Sequence, residues 1–314
     1  MKKFLAIYNK VGGTQILKQY RRSGVLCFAL RQTLSQGFSK KGLEIVRLSV
    51  NNKVLGKLRK KYRKTVAAFQ QAHTPQEGEN SGKIWVCWLQ GMESAPKLVQ
   101  SCFASLQKHL PHRQIVVLTQ ENYKNYVNFP AHIQEKIDNG TISKTHFSDL
   151  LRLELLIRYG GTWVDATVFC SGGNIPDYML DSELFLYQTL KPGLDGHPTG
   201  ISSWFMTARS NHPILMLTRH LLYTYWKKHK KMGDYFLLHD CFQLAIEAYP
   251  EYWNTVIPFS NSTPHILLLR MFETYDAQLW QAVTQMTPFH KLTYKFQEED
   301  TQKENTYYTH LIGG

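Results

Sequence analysis

The stretch RYGGTWVDATVF, Arg158 to Phe169, decides how the rest of the chain reads. A glycine pair stops a helix, because glycine enters left-handed backbone geometry without a Cβ penalty. After it, TWVDATVF is rich in β-branched and aromatic residues and predicts a strand. Before it, SDLLRLELLIRYGG predicts a helix, with Ser148 in the capping position and Leu150, Leu151, Leu153, Leu155, Leu156 and Ile157 burying one side. The unit is therefore helix, glycine stop, strand. Within that apolar strand stands one carboxylate, Asp165, with no neutralising partner nearby in sequence.

Working outward, the same alternation recurs. KIWVCWL (83–89) predicts a strand, PKLVQSCFASLQKHL (96–110) a helix opened by proline, and QIVVLT (114–119) a second strand. Beyond an SGG turn, ELFLYQT and SSWFMTA continue as strands, with Trp204 and Phe205 read as core. The last third predicts helices over HPILMLTRHLLYTYWKKH, YFLLHDCFQLAIEAY and DAQLWQAVTQM, and a closing strand over HKLTYKF. Strands alternating with helices give an α/β layered domain. There is no internal repeat and no P-loop.

Residues 1–70 differ. They hold 17 Lys and Arg side chains and one acid, Glu44, within a chain whose formal net charge is +13. Such asymmetry points to a polyanionic partner. KVLGKLRKKYRK (53–64) is its most charged part. It reads either as the solvated face of a helical extension or as an element that binds an anionic leaflet, where each basic residue near the surface contributes ~1 kcal/mol. Nucleic acid ranks below the membrane, since no zinc, RRM or recognition-helix signature accompanies the charge. QQAHTPQEGENSG (70–82) reads as a linker, giving an extension over 1–70, a linker over 71–82 and a domain over 83–314.

No apolar run reaches the ~18 residues of a spanning helix. MKKFLAIYNK starts basic, but Asn9 and Lys10 interrupt it before a signal-peptide core could form. The five cysteines are odd in number, scattered and without a C-x-x-C pair. That argues against a disulfide framework and a zinc site, and for a reducing compartment. A cytoplasmic protein, peripheral on the inner face of the cell membrane, is expected.

Four groups invite chemistry. A carboxylate at the end of a central α/β strand faces the crevice where such sheets bind ligands. Mg²⁺ is often held by one or two carboxylates plus substrate phosphates, so Asp165 reads as a metal ligand or, alternatively, as a turn aspartate bonded to backbone. Asp149 and Arg152 lie three apart and share a helix face. In isolation such a pair is a surface ion pair of little weight, but here it stands in the predicted first turn, where a polar ligand can be held. His239 and Asp240, adjacent in an apolar helix, read as an acid–base or acceptor-binding pair or as a helix-end pair bonded into the fold. Tyr223, Tyr225 and Trp226, beside KKHKK (227–231), read as packing or as an acceptor surface.

The sequence THFSDLLRLELLIRYGGTWVDATVF resembles the signature of the capsular polysaccharide synthesis protein family, relatives of the family 32 glycosyltransferases. WVCWLQG (85–91), ISSWFMTARSNHPIL (201–215) and HKLTYK (290–295) are similar to further motifs of that family, in order, so the resemblance spans about residues 83–296. It implies a GT-A-type fold, a Rossmann-like mixed sheet flanked by helices, here behind a basic helical N-terminal extension. It implies a nucleotide-sugar donor, most often a UDP-sugar, and a glycan acceptor on a polyprenyl-diphosphate lipid.

By position, the resemblance implies that Trp88 stacks on the uracil, with Gln90 and Gly91 beside it. Asp149 and Arg152 would hold the donor sugar, Gly161 of the glycine pair would lie in the donor site, and Lys291 and Lys295 would clamp the diphosphate. Asp165 would be the first aspartate of a metal-binding D-x-D, for Mn²⁺ or Mg²⁺. This chain reads D-A-T there, with Thr167 at the second position. A metal would then need a further ligand; His290 is the candidate, against the plain reading of a strand histidine. Thr167 also feeds an alternative, a degenerate transferase acting as a scaffold.

Overall fold

The computed structural model describes residues 13–190 and 200–313. The Met1–Lys10 segment, read above as too short for a signal peptide, lies outside the described residues. The central sheet has five strands in the order β2-β1-β3-β6-β5, with β1 Ile84–Cys87, β2 Ile115–Leu118, β3 Gly161–Val164, β5 Leu184–Gln188 and β6 Ile201–Ala208. β1 pairs in parallel with β2 and β3, while β6 runs antiparallel to both β3 and β5. A two-stranded ribbon, β4 Val168–Cys170 with β7 Phe289–Lys291, lies beside it. The expected mixed α/β sheet flanked by helices is what forms.

Pleating divides the core. Trp85, Trp163, Leu186 and Met206 enter a hydrophobic layer with the helices Lys144–Tyr159, Pro213–Lys228 and Leu237–Ala248. Their strand neighbours Ile84, Val86, Val164 and Phe205 enter a second layer with Val99 and Leu106 of the helix Lys97–His109. Side chains on a strand alternate between faces, so one strand serves both layers.

Three expectations need correcting. TWVDATVF is two strands, not one. β3 ends at Val164, Asp165–Ala166–Thr167 turns, and Val168 N–H closes that turn on Asp165 O at 2.9 Å before β4 leaves for the other sheet. A uniformly β-rich composition does not reveal a change of sheet. The helix before it starts at Lys144, not near Ser148: the Ser143 hydroxyl accepts His146 N–H and caps it. Asp149 and Arg152 therefore stand a turn deeper than the sequence suggested. HKLTYKF forms strand only over its first residues, in β7.

Gly160 ends the helix as expected. Its φ is +66°, and a Cβ there would meet Glu79 O at 2.3 Å and Ala208 O at 3.0 Å. Sterics and conformation both demand glycine.

Of the N-terminal segment, the long helix Lys40–Ala72 buries Val46, Val50, Val54, Leu58, Tyr62 and Phe69 in the same layer as Trp85 and Trp163. Lys57 Nζ donates to Ser23 O and Gly24 O at 2.9 and 3.0 Å, tying down the end of the helix Gly13–Arg22. Arg59 grips Glu247 with two nitrogens. Among the described residues no helix is long and apolar enough to cross a membrane. All five cysteines are free thiols.

Candidate functional site

At the C-terminal ends of β1 and β3 opens a pocket of about 460 Å³. Its wall brings together residues from four distant segments: Trp88 and Gln90, Lys144 and Arg152, Trp163 with Asp165 to Thr167, and Lys291 to Lys295, with Tyr235 also lining it. Among the described residues it carries one carboxylate, Asp165, and four cations, Lys144, Arg152, Lys291 and Lys295. A wall of that balance attracts anions.

The turn after β3 aims Asp165 into this space, and neighbours on three sides fix it. Trp163 Nε1–H donates to Oδ1 at 2.9 Å, Arg152 Nη2 stands 3.5 Å from Oδ1, and Lys291 Nζ stands 3.4 Å from Oδ2. The partner that the sequence lacked comes from residues 13 and 126 positions away.

Arg152 is nearly buried and held from all sides. Its Nη1 donates to Ser203 O, its Nε and Nη2 reach Ser148 at 3.3 Å, and its guanidinium lies 5.0 Å over the Trp163 ring. Its Nη2 also stands 3.5 Å from Asp149 Oδ1. Asp149 continues inward: His146 Nδ1 is 3.2 Å from its Oδ2, and Trp226 Nε1–H donates to His146 Nε2 at 3.0 Å. Since Nε2 accepts, a neutral His146 carries its proton on Nδ1 and donates to Asp149. Burial opposes the charge on Asp149, yet the Arg152 guanidinium and the His146 contact together hold its carboxyl below the usual range. Asp149 does not itself line the pocket; it braces Arg152.

Lys291 arrives on β7, whose register sets it opposite Val168 of β4. Its Nζ donates to Thr167 Oγ1 as well as facing Asp165. It thus bridges the first and third residues of D-A-T. Trp88 and Tyr294 pack edge to face with centroids 5.4 Å apart, and Lys295 Nζ lies 6.0 Å over the Tyr294 ring. The wall thus carries aromatic faces and cations together.

Other expected site residues lie elsewhere. Gly91 turns just behind Gln90 at φ +86° but does not line the pocket. Gly161 begins β3 at the opposite end of the strand, against Lys83 O and Trp85 Nε1, so its role is packing. His290, next to Lys291 on β7, points to the other face. It is buried with Nε2 3.1 Å from Ser171 Oγ, and burial pushes its pKa down to about 4. The structure therefore does not bring it to Asp165.

His239 lies off the pocket wall but close enough to feel Asp149 and Arg152, with burial lowering its pKa to about 4. Asp240 is enclosed near Asp234, and burial first, Asp234 second, raises its carboxyl well above the usual range. Among the described residues its Oδ2 has no partner. Neither residue is placed to meet a ligand in this pocket. Sequence reasoning missed Tyr294, Lys144, Tyr235 and the His146–Trp226 brace, none of which carries a local signal beyond its residue type.

The pocket does not fit a resident divalent ion. Mg²⁺ and Mn²⁺ want an oxygen cage or at least a free carboxylate face. Among the described residues Asp165 is the sole carboxylate on the wall, and both of its oxygens face a donor or a cation. Among the described residues no group of three or more His, Cys, Asp or Glu is arranged to hold a metal.

A family model described as capsular polysaccharide synthesis protein matches residues 32–311, a span that includes the whole helix Lys40–Ala72 and every residue of the pocket wall. No curated protein matches the chain. Among solved structures, a chain titled "PaToxG Glycosyltransferase" aligns with a TM-score of 0.36 and 15% identity, over 84% of this chain and 97% of that one.

Proposed function

The chain belongs to the capsular polysaccharide synthesis protein family, and from that premise we propose that it is a GT-A-type glycosyltransferase taking one sugar from a nucleotide-sugar, first among them a UDP-sugar. The acceptor would be a growing surface-polysaccharide unit on a polyprenyl-diphosphate lipid. One observation carries the reading: one pocket wall brings the aromatic pair Trp88 and Tyr294 together with the cations Arg152, Lys291 and Lys295, the last lying 6.0 Å over the Tyr294 ring. A nucleotide-sugar offers partners for both, an aromatic base joined through ribose to a diphosphate. Stacking a base on aromatic side chains contributes ~1–3 kcal/mol and leaves the phosphates to the cations.

In the transfer, the bond from the anomeric carbon to the diphosphate oxygen breaks and its electron pair leaves on that oxygen. The acceptor hydroxyl oxygen bonds the anomeric carbon, and its proton passes to the released diphosphate. Charge grows on the leaving oxygen, so fixed cations beside it stabilise the transition state more than the ground state. Asp165, by holding Arg152 and Lys291, sets where that positive charge stands.

The N-terminal segment suits a lipid-borne acceptor. Leu30, Leu34 and Ile45 are 50, 78 and 47% exposed, with exposed Arg31, Lys40 and Lys41 nearby in sequence. Apolar side chains among basic ones are what an interfacial element presents to an anionic leaflet. It supports the reading of a protein peripheral on the inner face of the membrane, where a lipid-borne acceptor would be met.

The test is donor hydrolysis by the purified protein over a panel of UDP- and GDP-sugars. The reading predicts turnover of one donor, lost in Asp165→Asn. A protein that binds a donor yet never turns it over, with or without acceptor, would be a scaffold with a transferase's pocket, the reading that Thr167 favours.

A further inference from the structure

We propose that the donor diphosphate in this pocket is bound by side-chain cations alone, with the Lys291 ammonium standing where a D-x-D enzyme would hold its divalent ion. This rests on the nucleotide-sugar reading above and says how that site meets its ligand's charge.

Three observations converge. The first is position. Lys291 Nζ is 3.4 Å from Asp165 Oδ2 and donates to Thr167 Oγ1, so one ammonium touches both residues that would carry the carboxylates of D-x-D. The second is the pairing of residue types. Between two carboxylates an ammonium's charge would be more than neutralised, whereas between one carboxylate and a neutral hydroxyl part of it remains for a ligand. The third hydrogen of the Lys291 ammonium is held only by a 3.4 Å contact to Leu292 O. Thr167 is thus the complement of Lys291, and D-A-T needs no missing aspartate.

The third is charge. Arg152 is committed to Ser203, Ser148, Asp149 and Asp165. Lys144 and Lys295, both exposed on the wall, make no ion pair among the described residues. Among the described residues, the four cations less Asp149 and Asp165 leave two positive charges. That balances the diphosphate of a nucleotide-sugar, and a divalent ion added to it would overshoot.

The placement of Lys291 is not accidental to one side chain. β7 pairs with β4 immediately after the D-A-T turn, with Leu292 N–H donating to Thr167 O at 2.9 Å. Backbone pairing therefore fixes Lys291 beside residues 165 and 167. A lysine set on a strand is better preorganised than a surface lysine on a loop.

The experiment is titration of the full-length protein with UDP, GDP and uridine, followed calorimetrically, in EDTA and in Mn²⁺. The expected result is that one of the two diphosphates binds with the same affinity, within about twofold, in both buffers. Lys291→Met should weaken that diphosphate by roughly tenfold or more while leaving uridine unchanged, and Lys291→Arg should retain most of the affinity, since a single charge-assisted contact is on the order of a factor of ten. Circular dichroism and the melting temperature check that each variant is folded.

A converse variant adds a gain of function. Thr167→Asp with Lys291→Ala restores two carboxylates and removes the ammonium, and should bind the diphosphate only with Mn²⁺. The proposal is overturned if EDTA abolishes diphosphate binding by the wild type and Mn²⁺ restores it, which would leave the nucleotide-sugar reading intact. It is also overturned if Lys291→Met weakens uridine as much as the diphosphate, which would make Lys291 merely structural. If neither diphosphate binds in either buffer, the nucleotide-sugar reading itself fails and the proposal with it.

Discussion

Arg152 Nη2 and Asp165 Oδ1 stand 3.5 Å apart across the pocket floor, joining the end of β3 to the third turn of the helix Lys144–Tyr159. Arg152→Lys keeps the charge but cannot reach Ser203 O, Ser148 and both aspartates at once. Donor turnover is expected to fall by about a hundredfold, with a loss of about 1–3 kcal/mol of stability from the groups left unsatisfied. Steady-state kinetics and denaturant titration check the two parts separately.

The Trp226–His146–Asp149 brace is testable through its outer member. Trp226→Phe keeps an aromatic ring, though a smaller one, and leaves His146 Nε2 without its donor. A destabilisation of about 1–3 kcal/mol is expected, with only a small change in KM, because Trp226 does not line the pocket. A KM change larger than the kcat change would show that the brace reaches the ligand directly.

Acid sensitivity follows from the buried histidines. Burial lowers His212, His239 and His290 to about 4, from an ordinary value near 6.5. Between those limits the unfolded chain binds protons that the folded chain refuses, so stability is full above about pH 6.5 and falls as the pH drops toward 4. Asp149, held low, adds its loss below the ordinary carboxylate range. His290→Asn should reduce the slope of stability between pH 6.5 and 4 and leave the slope above pH 7 unchanged, measured by urea unfolding across pH.

Asp240 carries the opposite sign. Its carboxyl is raised by burial, so the folded protein prefers it protonated and loses stability as pH rises above the ordinary carboxylate value. Asp240→Asn should raise the melting temperature at pH 7, and the gain should shrink toward pH 4. Donor turnover should be unchanged, whereas a catalytic Asp240 would lose it.

Much of the frame was legible in the sequence, because glycine stops and alternating apolar runs are local signals. β1, β2, β5 and β6, the Gly160 stop and the helices Lys97–His109, Pro213–Lys228 and Leu237–Ala248 fall where their patterns put them. Asp165, Arg152, Trp88, Gln90, Lys291 and Lys295 do share one pocket. What was not legible is non-local. That Asp165 sits in a turn depends on Trp204 O accepting its N–H and on β4 pairing with β7, neither of which a strand-like composition encodes. That Lys291 rather than His290 faces the pocket depends on a single-residue register, and a shift of one would exchange them. Gly161 was misread for a related reason, since a conspicuous glycine pair serves helix exit and strand packing far from the pocket mouth.

The membrane element can be checked without any substrate. Leu34→Asp places a charge at the most exposed apolar position of the helix Leu26–Gln36, away from every pocket residue. Co-sedimentation with phosphatidylglycerol vesicles should fall several-fold, soluble donor hydrolysis should be unchanged, and raising the salt should weaken the wild type as well.

The most direct measurement is a crystal structure with UDP bound. The base is predicted to lie against Trp88 and Tyr294, with the diphosphate within hydrogen-bonding reach of Lys291 and Lys295. UDP bound elsewhere, or with its phosphates turned away from Lys291, would contradict the account.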